Sequence, residues 1–208
     1  MPAHSSLTGT ELHEPKNMSA LTGGASDIGK AILSKGDGTT EVRNLNQSEI
    51  TTDITGWANY GDLLQTSGNK TAMTGGARHV VVNDGAGAFT DETHLPAGVT
   101  KFWDTSSNTF VHLKDGDVYQ VRIVFKIDGA GANDVIKLSV RDKGGSIDFF
   151  NETIVLQKSA GAQHDIVKHY TIFADSASVA AGVEVAITPD SNTNLWDIFY
   201  MITRIHGG

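Results

Sequence analysis

The feature that most constrains this chain is one run of strictly alternating side chains, Val118-Tyr119-Gln120-Val121-Arg122-Ile123-Val124-Phe125-Lys126-Ile127. Val121, Ile123, Phe125 and Ile127 fall on one face, and Gln120, Arg122 and Lys126 on the other. A period of two places alternate residues on opposite faces of a strand, whereas a helix would scatter the same residues around its axis. Ile136, Leu138 and Val140 alternate in the same way with Lys137, Ser139 and Arg141. Near the end of the chain Ile198, Tyr200, Ile202 and Arg204 alternate with Phe199, Met201, Thr203 and Ile205, so this strand is apolar on both faces. It is therefore expected to be central, or covered by a neighbouring subunit. The pattern predicts strands over residues 78–82, 99–103, 109–112, 118–127, 134–141, 147–156, 166–174, 182–188 and 196–206. Between them lie Asn83-Asp84-Gly85, Asp128-Gly129-Ala130-Gly131 and Lys143-Gly144-Gly145, residues suited to hairpin turns. Short strands at such intervals predict an all-β sandwich or barrel. Only residues 20–35 have helical character, and Gly23, Gly24 and Gly29 interrupt them.

The texture changes near residue 48. Before it there is no Phe, Trp or Tyr; the first aromatic is Trp57. Leu7, Leu12, Leu21, Ile28, Ile32, Leu33, Val42 and Leu45 stand singly or in pairs among Gly, Ser, Thr and charges. Such a stretch buries too little area to offset its own ordering entropy. Residues 1–48 are thus expected to be an extended, non-globular segment ordered against a partner, and 49–208 to form the sandwich. Composition narrows the chemistry. With no cysteine there is no disulfide framework, thiolate metal cage or cysteine nucleophile. No apolar run approaches the roughly 20 residues of a membrane span, and the first residues lack the charged and apolar regions of a signal peptide. A net charge of -8 argues against general attraction to nucleic acid or an anionic membrane.

Several motifs suggest chemistry and fall short of it. Leu21-Thr22-Gly23-Gly24-Ala25-Ser26-Asp27-Ile28-Gly29 is similar to the dinucleotide loop of short-chain dehydrogenases. No apolar strand precedes it, however, and Asp27 would repel phosphate. No tyrosine is followed four residues later by lysine. The eight histidines form no His-x-x-x-His pair. The glycine-rich stretches 84–92 and 128–134 offer oxygens without the ligand order of a calcium loop. Asp91/Glu92 and Asp115/Asp117 are carboxylate pairs of the kind a glycosidase needs, but sequence adjacency does not place them in a shared cleft. No Gly-x-Ser-x-Gly elbow occurs. These residues predict neither catalysis, nor a metal site, nor a cofactor.

One phrase is specific. His4-Ser5-Ser6-Leu7-Thr8-Gly9-Thr10-Glu11-Leu12-His13-Glu14-Pro15-Lys16 closely resembles an N-terminal phrase of tailed-bacteriophage structural proteins, where it precedes a β-rich domain. Trp57-Ala58-Asn59-Tyr60, Asn83-Asp84-Gly85-Ala86-Gly87-Ala88-Phe89-Thr90, Leu95-Pro96-Ala97-Gly98-Val99, Trp103-Asp104 and Leu113-Lys114-Asp115-Gly116-Asp117 resemble the jelly-roll domains of phage head fibres and tail proteins. The closing Ile202-Thr203-Arg204-Ile205-His206 is similar to the last strand of trimeric, TNF-like sandwiches. The resemblance implies a non-enzymatic virion component: a head fibre or decoration protein on the outer capsid, or alternatively a tail fibre or receptor-binding protein gripping host glycan. It also implies a homotrimeric jelly roll without cofactor or metal, whose N-terminal segment holds a virion protein. The major capsid protein is the expected partner, with a tail protein as the alternative. Within that segment His4, Ser5, Ser6, Leu7, Thr8, Leu12, His13 and Pro15 are the expected attachment residues. An extended chain binds through backbone amides, with Leu7 and Leu12 as apolar anchors.

Overall fold

The computed structural model describes residues 31–34, 40–43, 55–143, 148–157 and 159–207. The chain divides into two units, Met1–Thr52 and Asp53–Gly208. In the first, β1 (Ala31–Ser34) pairs antiparallel with β2 (Thr40–Arg43), and Ile32 stands opposite Val42. Residues 31–34, which lie in the glycine-interrupted stretch 20–35 that alone had helical character, are therefore strand. The β-branched Ile32 and Val42, stiff at χ1, favour this outcome.

The second unit is a sandwich of two antiparallel sheets. One runs β10 (Asp148–Leu156), β9 (Asp134–Asp142), β12 (Val183–Pro189), β7 (Thr109–Phe110) and β6 (Trp103–Asp104), with β5 (His79–Val80) also on β12. The other runs β11 (Gln163–Phe173), β8 (Val118–Asp128), β13 (Thr193–His206) and β3 (Gly56–Gly61), with β4 (Thr71–Met73) also on β13. Four pairings nest inside one another: β9 with β10, β8 with β11, β7 with β12, and β3 with β13. A long hairpin rolled across two sheets gives this nesting, which is the jelly roll.

The core follows the alternation. Val121, Ile123, Phe125 and Ile127 are buried, as are Ile136, Leu138 and Val140 opposite them and Ile198, Tyr200 and Ile202 beside them. At the centre Trp103, Phe110 and Tyr200 pack at ring separations of 4.7 to 5.2 Å in tilted and edge-on geometries. Two buried aromatics find partners for their polar ends: Trp103 Nε1 donates to the Asn83 carbonyl at 2.9 Å, and the hydroxyl of Tyr60 accepts from the Phe102 amide at 2.7 Å.

Four departures have physical reasons. Residues 99–102 are not a strand, because turns closed by Leu95 N–H to Glu92 and Val99 N–H to Pro96 occupy the approach to β6. Strands β3 and β4 were not foreseen, being short and placed by their pairing with β13. Helix α1 (Ser176–Ala181) was also missed, although Asp175 and Ser178 form a reciprocal capping box and Gly182 ends it at φ 76°. Finally, Phe149 and Phe150, neighbours that the regular alternation of the strand expected over 147–156 would set on opposite faces, do not split between two faces. A bulge between Asp148 and Phe150 lets both pack against the core, with Phe150 stacked on Tyr170 at 4.7 Å.

Candidate interaction surface

The expected attachment residues His4, Ser5, Ser6, Leu7, Thr8, Leu12, His13 and Pro15 lie outside the described residues, as does the glycine-rich stretch 21–29. The candidate surface within the described residues is the outer face of the β11-β8-β13-β3 sheet. Its register sets side chains in rows. His169, Arg122, Met201 and Asn59 stand directly opposite one another on successive strands, and an isolated bridge from Asn59 to Asp91 extends that row. Val167, Val124, Phe199 and Gly61 form the row on one side; Thr171, Gln120, Thr203 and Trp57 form the row on the other. Phe199 and Met201 are half-buried and Val167 is exposed, so the second face of β13 remains open in a single copy. Two hollows meet at Arg122. One, of about 290 Å³, is lined by Gln120, Arg122, His169, Thr171, Met201 and Thr203. The other, of about 650 Å³, is lined by Asn59, Phe89, Asp91, Arg122, Val124 and Phe199.

Phe89 is 78% exposed, yet its backbone is fixed. The Gly87 amide donates to the Gly61 carbonyl at 2.8 Å, the Gly61 amide donates to Thr90 Oγ1 at 3.0 Å, and Asn59 and Asp91 exchange two backbone bonds. The approach of Gly87 to Gly61 leaves no room for a side chain: a Cβ on Gly87 would lie 2.7 Å from the Gly61 carbonyl carbon. Gly87→Ala is therefore expected to cost roughly 1–3 kcal/mol in denaturant unfolding, as overpacking does. Unchanged stability would mean that this contact does not pin the loop.

The remaining sequence candidates have structural roles. Asp115 is exposed, whereas Asp117 is fully buried, bonded to Arg204 Nη2 at 2.7 Å and to the Tyr119 hydroxyl at 2.8 Å, so the two carboxyls do not share a cleft. Asp91 accepts from the side chain and amide of Thr93, which hold its carboxyl below the usual range. In the 128–134 loop Asp128 pairs with Lys70 at 2.9 Å, and Asp134 accepts from the Gly131 amide. One carboxylate pair was not visible in the sequence: Asp62 Oδ1 accepts from the Asp84 amide at 3.1 Å, and Asp84 Oδ1 accepts from the Leu63 amide at 2.9 Å. Burial raises Asp62, with the neighbouring Asp84 charge adding to it. Burial also pushes Asp84 upward, but the amides of Ala86 and Leu63 outweigh it and hold this carboxyl low. Among the described residues no three His, Asp or Glu side chains converge in a way that could hold a metal ion.

Among the described residues His112 is the one histidine sealed in the core. Its Nδ1 lies 3.0 Å from Ser178 Oγ, and its ring stacks on Tyr119 at 4.8 Å. Burial brings its pKa down to about 4, against the opposing charges of Asp117 and Asp175.

No family model matches the chain, and no curated protein matches it. Among solved structures it is similar to the PRD1 vertex protein P5, at 14% identity and a TM-score of 0.42 over 99% of this chain and 98% of that one. It is also similar to Eiger TNF from S. frugiperda, at 10% identity and a TM-score of 0.44 over 75% of this chain and 94% of that one. A third is the globular domain of zebrafish complement 1qA protein, at 10% identity and a TM-score of 0.36 over 74% of this chain and 96% of that one. The solved structures similar to this chain thus include a vertex protein and domains of the TNF and C1q kinds.

Proposed function

We propose that the chain is a non-enzymatic structural component of a bacteriophage particle, a head fibre or decoration protein carried on the outside of the capsid. Residues 1–48 attach it to the major capsid protein, and the jelly roll is displayed as a homotrimer. The observation that carries this reading is the thirteen-residue phrase at residues 4–16, placed ahead of a jelly-roll sandwich. A thin segment of this composition gains affinity when three copies bind together, since linked weak sites multiply. The net charge of -8 suits a surface facing solvent better than one facing packaged DNA. A second placement, on the tail as a fibre or receptor-binding protein gripping bacterial glycan, uses the same fold and the same resemblance.

Deleting residues 2–16 is expected to leave a soluble trimer with unchanged thermal unfolding that no longer co-sediments with particles. Retained co-sedimentation would remove the attachment role from this segment. Copy number separates the two placements: hundreds of copies per particle belong to a capsid, and a few to a few dozen belong to a tail.

A further inference from the structure

The larger of the two hollows on the β11-β8-β13-β3 face, of about 650 Å³, lies between β8, β13, β3 and the segment pinned to β3, and Phe89 forms its rim. Small-ligand sites usually measure roughly 300–1,000 Å³. The lining of this one is divided by chemistry. At one end stands Arg122, whose guanidinium makes no hydrogen bond or ion pair among the described residues. At the other stand Asn59 and Asp91, joined through their backbones. Asp91 Oδ1 accepts from Thr93, and its Oδ2 has no hydrogen bond among the described residues. Asn59 Oδ1 is buried and has no partner there either. It is an acceptor cut off from water, and a bound donor would remove that cost. The wall between the two ends is apolar, made of Val124, Phe199 and the ring of Phe89.

Two opposite charges thus line one hollow without meeting each other, and spacing is the reason. Arg122 and Asn59 stand two strands apart in one row, with the half-buried Met201 between them and Asp91 one step farther out. Neighbouring strands lie about 4.8 Å apart, so about 10 Å of backbone separates Arg122 from Asn59. The arginine stem covers part of this distance and leaves a short gap to the two acceptors.

We infer that this hollow binds a free α-amino acid with a large apolar side chain. The carboxylate of the ligand pairs with the forked guanidinium of Arg122. Its ammonium donates to Asp91 Oδ2 and Asn59 Oδ1. Its side chain lies against Phe89, Phe199 and Val124. Every group of the ligand then meets one that the chain leaves idle. A simple anion would leave Asn59 Oδ1 unpaired, a simple cation would leave Arg122 unpaired and repelling it, and glycine would leave the apolar wall wet.

Saturation-transfer NMR titration of the full chain with L-phenylalanine is expected to give a Kd on the order of 0.1–1 mM, the range of a small ligand in an open site. Phenethylamine lacks the carboxylate, hydrocinnamate lacks the ammonium, and glycine lacks the apolar body. Each is expected to bind at least about tenfold more weakly. Arg122→Gln and Asp91→Asn alter surface charges, and the asparagine keeps an oxygen for Thr93, so both are expected to keep the wild-type circular dichroism and unfolding midpoint. Arg122→Gln is expected to weaken L-phenylalanine about tenfold and leave phenethylamine unchanged. Asp91→Asn is expected to weaken L-phenylalanine to a similar degree and leave hydrocinnamate unchanged. Absence of L-phenylalanine binding to the wild type would overturn the assignment, as would equal affinity for phenethylamine or hydrocinnamate, or binding that survives both substitutions. Neither copy number per particle nor attachment through residues 2–16 enters these expectations, so the proposed function stands or falls separately.

Discussion

Arg204→Met is expected to destabilise the sandwich by about 3–5 kcal/mol, the cost of leaving a buried charge without its counter-charge. Arg204 is the last core-facing residue of β13, following Ile198, Tyr200 and Ile202 along the same face. Its guanidinium reaches Asp117 at 2.7 Å, and the Asp117 side chain has no exposed surface. Asp117 also accepts from the Tyr119 hydroxyl and the Lys114 amide, so the carboxylate ties the turn before β8 to the end of β13. In a domain of this size the loss corresponds to a melting point lower by on the order of 10 °C. A double variant, Asp117→Asn with Arg204→Met, removes both charges and keeps an amide oxygen for Tyr119 and Lys114. It is expected to regain at least about 1 kcal/mol over the single variant in urea unfolding, since the desolvated charge is gone. If single and double variants unfold at the same urea concentration, packing of the arginine stem, and not its charge, holds this end of the sandwich together.

What was legible in the sequence was whatever two neighbouring residues could show. The alternation from Val118 to Ile127 was enough to place Val121, Ile123, Phe125 and Ile127 in the core, because the strand period is fixed by covalent geometry. The nesting of β3 with β13 and β7 with β12 was not legible from the order of residues, since long-range pairing is decided by packing. For the same reason the row His169, Arg122, Met201, Asn59 and Asp91 was invisible, drawn as it is from five separate parts of the chain. Asp117 read as half of an Asp-Gly-Asp turn, and the turn is real, with Gly116 at φ 88°. Only the arrival of Arg204, far along the chain, turns the second aspartate into a buried ion pair. Helix α1 is the opposite case, because Asp175, Ser178 and Gly182 carried its caps in plain view. The apolar second face of β13 was legible and suggested a covering partner. The Phe89 rim needed the Gly61–Gly87 contact to show that this ring is held out and fixed.

His112 makes the second large prediction, a stability that falls as the solution is acidified from neutrality. It is 3% exposed, enclosed by Tyr119 on its face and Ser178 at Nδ1, and its Nε2 has no hydrogen-bond partner among the described residues. The charges near it are Asp117, itself engaged with Arg204, and Asp175 at the cap of α1. Both favour the protonated ring, yet burial outweighs them and brings the pKa down to about 4 from 6.5. Between those two values the unfolded chain binds a proton that the folded chain refuses, so the unfolded state gains as pH falls. Stability attributable to this ring is therefore fully present above about pH 6.5, declines through the interval, and levels off below about pH 4. At 1.36 kcal/mol per pKa unit the whole interval amounts to about 3 kcal/mol. The carboxylates held low by their partners, Asp128 by Lys70 and Glu152 by Lys168 among them, lose their contribution only at the acid end of this range. The upper half of the decline thus belongs to His112. His112→Phe keeps a ring against Tyr119 and leaves Ser178 Oγ bonded to the Asp175 backbone. Urea unfolding of this variant between pH 7 and pH 5 is expected to be flat where the wild type slopes. A variant that keeps the wild-type slope would assign the proton to another group.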